Sequence, residues 1–372
     1  MDPSASDDQK LIMETSGRLM DQVCPLTEVR GGAYQNAAFA LAYRRRASEL
    51  GWFSMLVPED LGGGSVSGNG VLDATLIAFE RGRRLQPAPF VGTNVVGYAL
   101  AQAGSPDHKV KVLPDLMSGE VSAAWLPRPS APGQGISATR TSSGYTFSGR
   151  STHVQDADSA AWLLVTAETD SGGTGVVQAL VDPTAAGLTV TPLEALDITR
   201  GFAEVELDGL EVPASALLGA GDAGELVERQ LAVACVLTAA ESVGAMDHDF
   251  DMTLQYAKDR IAFGRPIGSF QAIKHLLADT SLMLEMSKAI VLAAANSVGT
   301  DDGYGLEAAS MAKAFVGDCG IDLAQNCFQV FGGIGFTWEH DQHLYLRRIT
   351  TDSALFGGPA WHRERLCQLS GL

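Results

Sequence analysis

Positive charge is scarce in this 372-residue chain: 26 Lys and Arg stand against 44 Asp and Glu, a net charge of −18. Like charge repels nucleic acid and anionic membrane surfaces, so neither is expected as the main partner, although a local basic site can still bind phosphate. Long apolar runs are missing too. The longest near-apolar stretch, LAVACVLTAA at 231–240, is about half of the roughly 20 residues needed to span a bilayer. Cysteines are few and scattered: Cys24, Cys235, Cys319, Cys327 and Cys367 form no CxxC pair and are odd in number. That pattern fits reduced thiols better than a disulfide framework or a zinc site, and no metal site is expected. The opening MDPSASDDQK is acidic without an apolar core, which predicts no secretory signal. These absences together predict a soluble cytoplasmic protein.

What is present suits a globular chain. Apolar residues make up 46% and charged residues 19%, and the length suffices for two or three domains with substantial cores. Residues 1–122 read as helical: AAFALAYRRRASELGWF and VLDATLIAFERGRRL space apolar residues as helices do, with the glycine-serine loop VPEDLGGGSVSG between them. Over 123–222 the texture changes to short β-branched or alternating runs punctuated by turn residues, which predicts a small antiparallel β domain. Over 223–372 four long Ala- and Met-rich amphipathic runs with short connections predict an antiparallel four-helix bundle. The expected class is α+β multidomain.

Three segments stand out. DRIAFGRPIGSFQAIKH at 259–275 clusters Arg260, Arg265, Gln271 and Lys274 around a turn edged by Phe263. Paired guanidinium hydrogen bonds and a helix start suit an anion, and a solvated turn fits equally. QNCFQVFGGIGFTWEHD at 325–341 holds a GGxG that serves either a phosphate loop or a plain helix cap. Gln329 before it can bond a cofactor or the local backbone. Third, LYLRRITTDSALFGGPAWHR at 344–363 breaks a helical run at Phe356-Gly357-Gly358-Pro359 with no acid or base at the break.

In this order, at the end of a helical–β–helical chain, these segments resemble the acyl-CoA dehydrogenase family. VPEDLGG, RIAFGRPIGSFQ, QVFGGIGF and the closing VELDGLEVP of the β region carry the resemblance over essentially the whole chain. The form GGIGFTWEHDQHLYLRR is similar to that of actinobacterial members. The resemblance implies FAD and an acyl-CoA thioester as substrate. A glutamate takes the proton α to the carbonyl, and the β-hydrogen leaves as hydride to the flavin. It implies cofactor contacts across a subunit seam from Arg260, Phe263, Gln271, Gln329, Gly332 and Gly333, all present here. An electron-acceptor flavoprotein and lipid metabolism, as in fatty acid or steroid side-chain β-oxidation, are implied likewise.

The glutamate is missing. The family's usual position, nine residues beyond an arginine like Arg348, is Gly357, and the alternative position, 26 residues before Arg260, is Ala234 followed by Cys235. Glu228-Arg229 supplies an acid–arginine pair six residues early, about 9 Å along a helix and about 120° off its face. Acids there also suit a helix N-terminus. Glu241 fits the register no better. The family's flavin-facing Thr is Pro127, which has neither hydroxyl nor N–H, and its Trp-Ile-Thr is His153-Val154-Gln155. This pattern resembles the subunit of actinobacterial α2β2 acyl-CoA dehydrogenases that lacks the base yet helps hold its partner's flavin. The expectation is a FAD-holding subunit without its own base. Two alternatives stay open: a complete homomeric enzyme using Glu228 or another base, and a flavin-free scaffold on the same fold.

Overall fold

The computed structural model describes residues 5–87, 89–128, 135–169, 175–219 and 221–372. Among them, seven helices come first: α1 (Asp7–Val23), α2 (Leu26–Arg30), α3 (Ala37–Ser48), α4 (Gly70–Arg83), α5 (Phe90–Ala103), α6 (Pro106–Lys111) and α7 (Leu113–Met117). Seven strands follow: β1 (Ala123–Leu126), β2 (Gly135–Arg140), β3 (Gly144–Gln155), β4 (Trp162–Thr169), β5 (Val176–Val181), β6 (Leu188–Leu193) and β7 (Phe202–Pro213). The rest is helical. After α8 (Gly224–Asp259) a hairpin of β8 (Ile261–Ala262) and β9 (Arg265–Pro266) leads to α9 (Gln271–Thr300), α10 (Gly305–Phe331), α11 (Gln342–Ala354) and α12 (Pro359–Leu369). None of the described helices is long and apolar enough to cross a membrane.

The chain forms two compact units, one of Thr27–Ala74 and Pro87–Ala234, the other of Met1–Leu26, Thr75–Gln86 and Cys235–Leu372. The first unit is built on a sheet in the order β1-β4-β2-β3-β7-β6, with β5 also paired to β4. Here the antiparallel expectation needs correcting. β2–β3, β3–β7, β6–β7 and β4–β5 are antiparallel, but β4 runs parallel to both β1 and β2. A parallel pair needs a long crossover, and the chain from Leu126 to Trp162 supplies one by building β2 and β3 on the way. The sheet is therefore mixed. β5 is buried at every position, as a strand covered on both faces must be, and the apolar side chains of β1–β5 and β7 form the core. α5 lies against β1: the Thr93 hydroxyl donates to the Ala123 carbonyl at 3.3 Å, and Gly92 lets the backbones meet.

In the second unit α4 packs tightly on α8. A Cβ at Gly244 would overlap the Phe79 carbonyl at 2.0 Å, so glycine is needed for the approach. The buried pair Arg81–Glu241, 3.0 Å apart, ties the same helices. α8, α9 and α10 are long, as predicted. The fourth helical run is not one helix: it stops at Ala354 and restarts at Pro359 as α12, because Phe356 and Gly357 take φ of 58° and 100°. The C-terminal bundle thus has five helices where four were expected.

Candidate active site

One end of the bundle gathers the residues predicted to touch a cofactor. Ala257, Leu277 and Val330 form a small core, with Tyr256, Ile267, Ile273 and Leu276 packed around it. That core joins the end of α8, the start of α9 and the end of α10, so the 260–271 turn and the 329–333 loop share this end. Arg260, Phe263, Gln271, Gln329 and Gly333 are all exposed, and Gly332 is half-buried.

The hairpin is sharply turned. Phe263 and Gly264, with φ of 54° and 78°, form the two-residue loop between β8 and β9. A phenylalanine in the left-handed region costs roughly 1 kcal/mol, and here its ring is 95% exposed, touching Phe270 edge-on at 6.1 Å. Arg265 lies 4.0 Å above the Phe270 ring. α9 begins at Gln271 without a side-chain cap, so its first backbone N–H groups are open to an acceptor. Gly332, at φ 62° and ψ −138°, adopts a conformation closed to other residues, and no atom lies within 4 Å of where its Cβ or that of Gly333 would stand. The end therefore offers two guanidiniums, two amides, an exposed ring and bare backbone.

The expected base position is different in kind. Gly357 is buried, and a Cβ built on it would stand 2.5 Å from Cε3 of Trp361. Beneath it lies Lys313, 2% exposed, whose ammonium donates to the carbonyls of Asp352 and Ser353 at 2.8 Å and of Gly357 at 3.2 Å. It caps the end of α11, where a cation is favoured. Burial pulls the Lys313 amine down to about 8. His362 is buried alongside and held down at about 4, first by burial and then by the Lys313 charge. It is neutral, and its Nε2–H donates to the Phe356 carbonyl at 3.1 Å, with the Cys235 sulfur 3.7 Å away. The carboxylate of this set is that of Asp352, buried on α11 and near enough to Lys313 to raise its pKa, five residues before the Gly357 position.

The other candidate bases fare no better. Ala234 is fully buried in α8. α8 is continuous from Gly224 to Asp259, so Glu228 keeps its six-residue offset, and Arg229 pairs with Glu225 at 3.0 Å. Glu241 is consumed by the buried pair with Arg81. At the positions of the flavin-facing strand residues, Pro127 is half-buried and His153 is exposed on a bulge of β3 with φ of 59°. Residues 129–133 of WLPRPSAPG lie outside the described residues.

Sequence reasoning used Arg347 and Arg348 only as a register mark. The structure separates them: Arg347 lies 5.6 Å over the Trp338 ring, while Arg348 is buried and donates to the Leu85 and Gln86 carbonyls. Lys313, Trp361 and His362 were missed as members of the site. One signal was available, since Lys313 is the lone lysine of α10 and shares a helical stripe with Ala309, Gly317 and Gly320.

These features meet known proteins over most of the chain. Residues 6–120 match the pattern described as the acyl-CoA dehydrogenase N-terminal domain, and residues 223–368 match the C-terminal domain. The chain belongs to the acyl-CoA dehydrogenase family. Among its relatives, acyl-CoA dehydrogenase IpdE2 of Mycobacterium tuberculosis is 28% identical over 97% of this chain and 96% of its own length. The probable acyl-CoA dehydrogenase YngJ of Bacillus subtilis is 30% identical over 84% of this chain and 85% of its own. The structure of the ChsE4–ChsE5 complex from Mycobacterium tuberculosis has the same fold, with a TM-score of 0.89, 25% identity and coverage of 100% of this chain and 99% of that one. The family and the actinobacterial resemblance anticipated from the sequence are those found, and so is the helical–sheet–helical fold, with a mixed sheet in place of an antiparallel one.

Proposed function

We propose that this chain is the FAD-holding subunit of a heteromeric acyl-CoA dehydrogenase and lacks a base of its own. The observation that carries the proposal is Gly357: the base position is a buried left-handed glycine closed by Trp361 and tied to Lys313, with no room for a carboxylate. The exposed end fits a flavin nucleotide belonging to a neighbouring chain. Arg260 would face its phosphates, Gln271 and Gln329 its polar edges, and Phe263 its flat faces, while Gly332 and Gly333 let it approach the backbone. FAD, when bound, supplies the acceptor for the substrate's β-hydride. The α-proton would be taken by a glutamate of the partner chain. Pro127, at the position of the family's flavin-facing Thr, offers no donor, which supports a division of labour between chains. A structure of the same fold that is itself a complex of two named chains, ChsE4 and ChsE5, supports a heteromer, as α2β2 or a related oligomer. An electron-acceptor flavoprotein would complete the electron path.

The test is a paired preparation. The chain is purified alone and together with an acyl-CoA dehydrogenase chain of the same genome that carries glutamate at a base position. Flavin absorbance and acyl-CoA-dependent dye reduction are then read. Flavin and activity only on co-expression support the proposal. A yellow, active lone chain supports the homomeric enzyme with Glu228 or another base, and a colourless preparation in both cases supports a scaffold.

A further inference from the structure

Two apolar stripes run along α9, and the fold uses one of them. Leu277, Leu284, Val291 and Ala294 are buried. On the other side Leu282, Met286, Ala289 and Ala293 face outward, with Leu282 61% and Met286 46% exposed. A helix that is apolar on both sides is normally covered on both. The outward stripe runs from Asp279 through these four residues to Asn296 in alternate steps of three and four. That is the spacing of a seam between paired helices.

The order of residues along the stripe decides what can cover it. Laid antiparallel on a copy of itself, about a two-fold axis between Ser287 and Lys288, it sets Leu282 against Ala293 and Met286 against Ala289. At the ends the same register sets Asp279 against Asn296. Each large side chain meets a small one, and each carboxylate meets an amide able to donate to it. A two-fold axis demands this match between the two halves of one stripe, whereas an unrelated partner does not.

Charge points the same way. The chain carries −18, so two copies repel over most of their surfaces. Residues 280–300 nevertheless hold only Glu285 and Lys288, which pair with each other at 2.8 Å. Two copies can meet along this stretch without opposing like charges. We infer that the outward stripe of α9 is the docking surface for a second copy of this chain, the two helices packing antiparallel across a two-fold axis. The pairing needs neither flavin nor base, so it goes beyond the cofactor reading. In the heteromer proposed above, it is the contact that joins two pairs of unlike chains.

The test uses the full chain, alone and with its catalytic partner, in a Cys367→Ser background that removes the exposed thiol. Leu282→Cys combined with Ala293→Cys should cross-link two copies under mild oxidation, giving a non-reducing band of twice the chain mass. Within one chain the two positions lie about 16 Å apart along the helix, beyond the roughly 7 Å that a disulfide allows between Cα atoms. Each single variant should stay uncrosslinked, because its thiol faces Ala293 or Leu282 of the other copy. Met286→Glu, at an exposed position, should weaken self-association at least about tenfold by sedimentation and halve the mass of the complex. A double variant that does not cross-link, single variants that cross-link equally well, a cross-link to the catalytic partner, or an unchanged mass for Met286→Glu would each overturn the pairing. Flavin content and dye reduction with and without the partner judge the subunit role separately, so either reading can fail alone.

Discussion

The two ends of α11 make an instructive contrast. At the bundle end near its start, Arg260, Phe263, Gln271, Gln329 and Gly333 are exposed, with strain at Phe263 and open space around Gly332. Just after it, Phe356 and Gly357 are strained as well, but there the strain is enclosed by Trp361, Lys313 and His362. Folding accounts for the enclosed end, because the Lys313 ammonium and the His362 Nε2–H each find a carbonyl there. It does not explain the exposed end, where a bulky ring is held in an unfavourable conformation and given to solvent. Strain that the fold does not use at home points to use by a neighbour. One region has kept its outward face, and the other has been filled in.

The largest effect that can break this contrast is loss of Arg260. Removing a guanidinium from a charged phosphate contact is worth about 1.5–3 kcal/mol, so Arg260→Ala should weaken flavin retention by the complex roughly tenfold to a hundredfold. The melting temperature of the lone chain should hardly change, since the side chain is exposed. Unchanged flavin content in the variant complex would remove Arg260 from the cofactor edge.

Next in size is Gly357→Glu, which attacks the enclosed end. The residue sits at φ 100° with Trp361 against it, so the substitution should destabilise the chain by about 1–3 kcal/mol. It should also leave the lone chain inactive, because a carboxylate there has no place to stand. A stable Gly357→Glu chain that reduces dye with acyl-CoA would show that the post is merely empty.

Phe263 separates stability from assembly. Phe263→Asn relieves a strained backbone and should stabilise the lone chain by roughly 0.5–1 kcal/mol, while weakening its association with the partner. Thermal melting and analytical ultracentrifugation read the two effects independently, and a loss in both would make the hairpin a purely internal feature.

The smallest effect concerns what pins the start of α11. Asp249 is fully buried, accepts from the Gln342 amide at 3.1 Å, and is pushed well above its ordinary value of 3.8 by burial. Its proton is bound more tightly in the folded chain than in the unfolded one. The stability it lends is full below about 3.8 and falls as pH rises toward the folded value. Asp249→Asn does not titrate, so its melting temperature should overtake that of the wild type as pH climbs from about 4 to 7. Parallel curves across that range would mean Asp249 is ionised in the folded chain.

Much of this was legible in the sequence. Helical spacing, the glycine-serine loop and the return of long Ala-rich runs gave the order of elements, and RIAFGRPIGSFQ with QVFGGIGF gave the exposed end. The direction of β4 was not legible, because pairing direction depends on where the chain returns and not on the alternation within a strand. The closing of the Gly357 post was hidden for a related reason. Lys313 lies about 40 residues from the carbonyls it caps, and a lone lysine in a helix normally faces water.

The central claim is tested most directly by dye reduction with acyl-CoA, using this chain alone with FAD added to the assay, against the same chain co-purified with its partner. A positioned general base contributes about 10²–10⁴ in rate, and the lone chain is predicted to fall short of the complex by at least that factor. Equal turnover per mole of this chain in the two preparations would contradict the account.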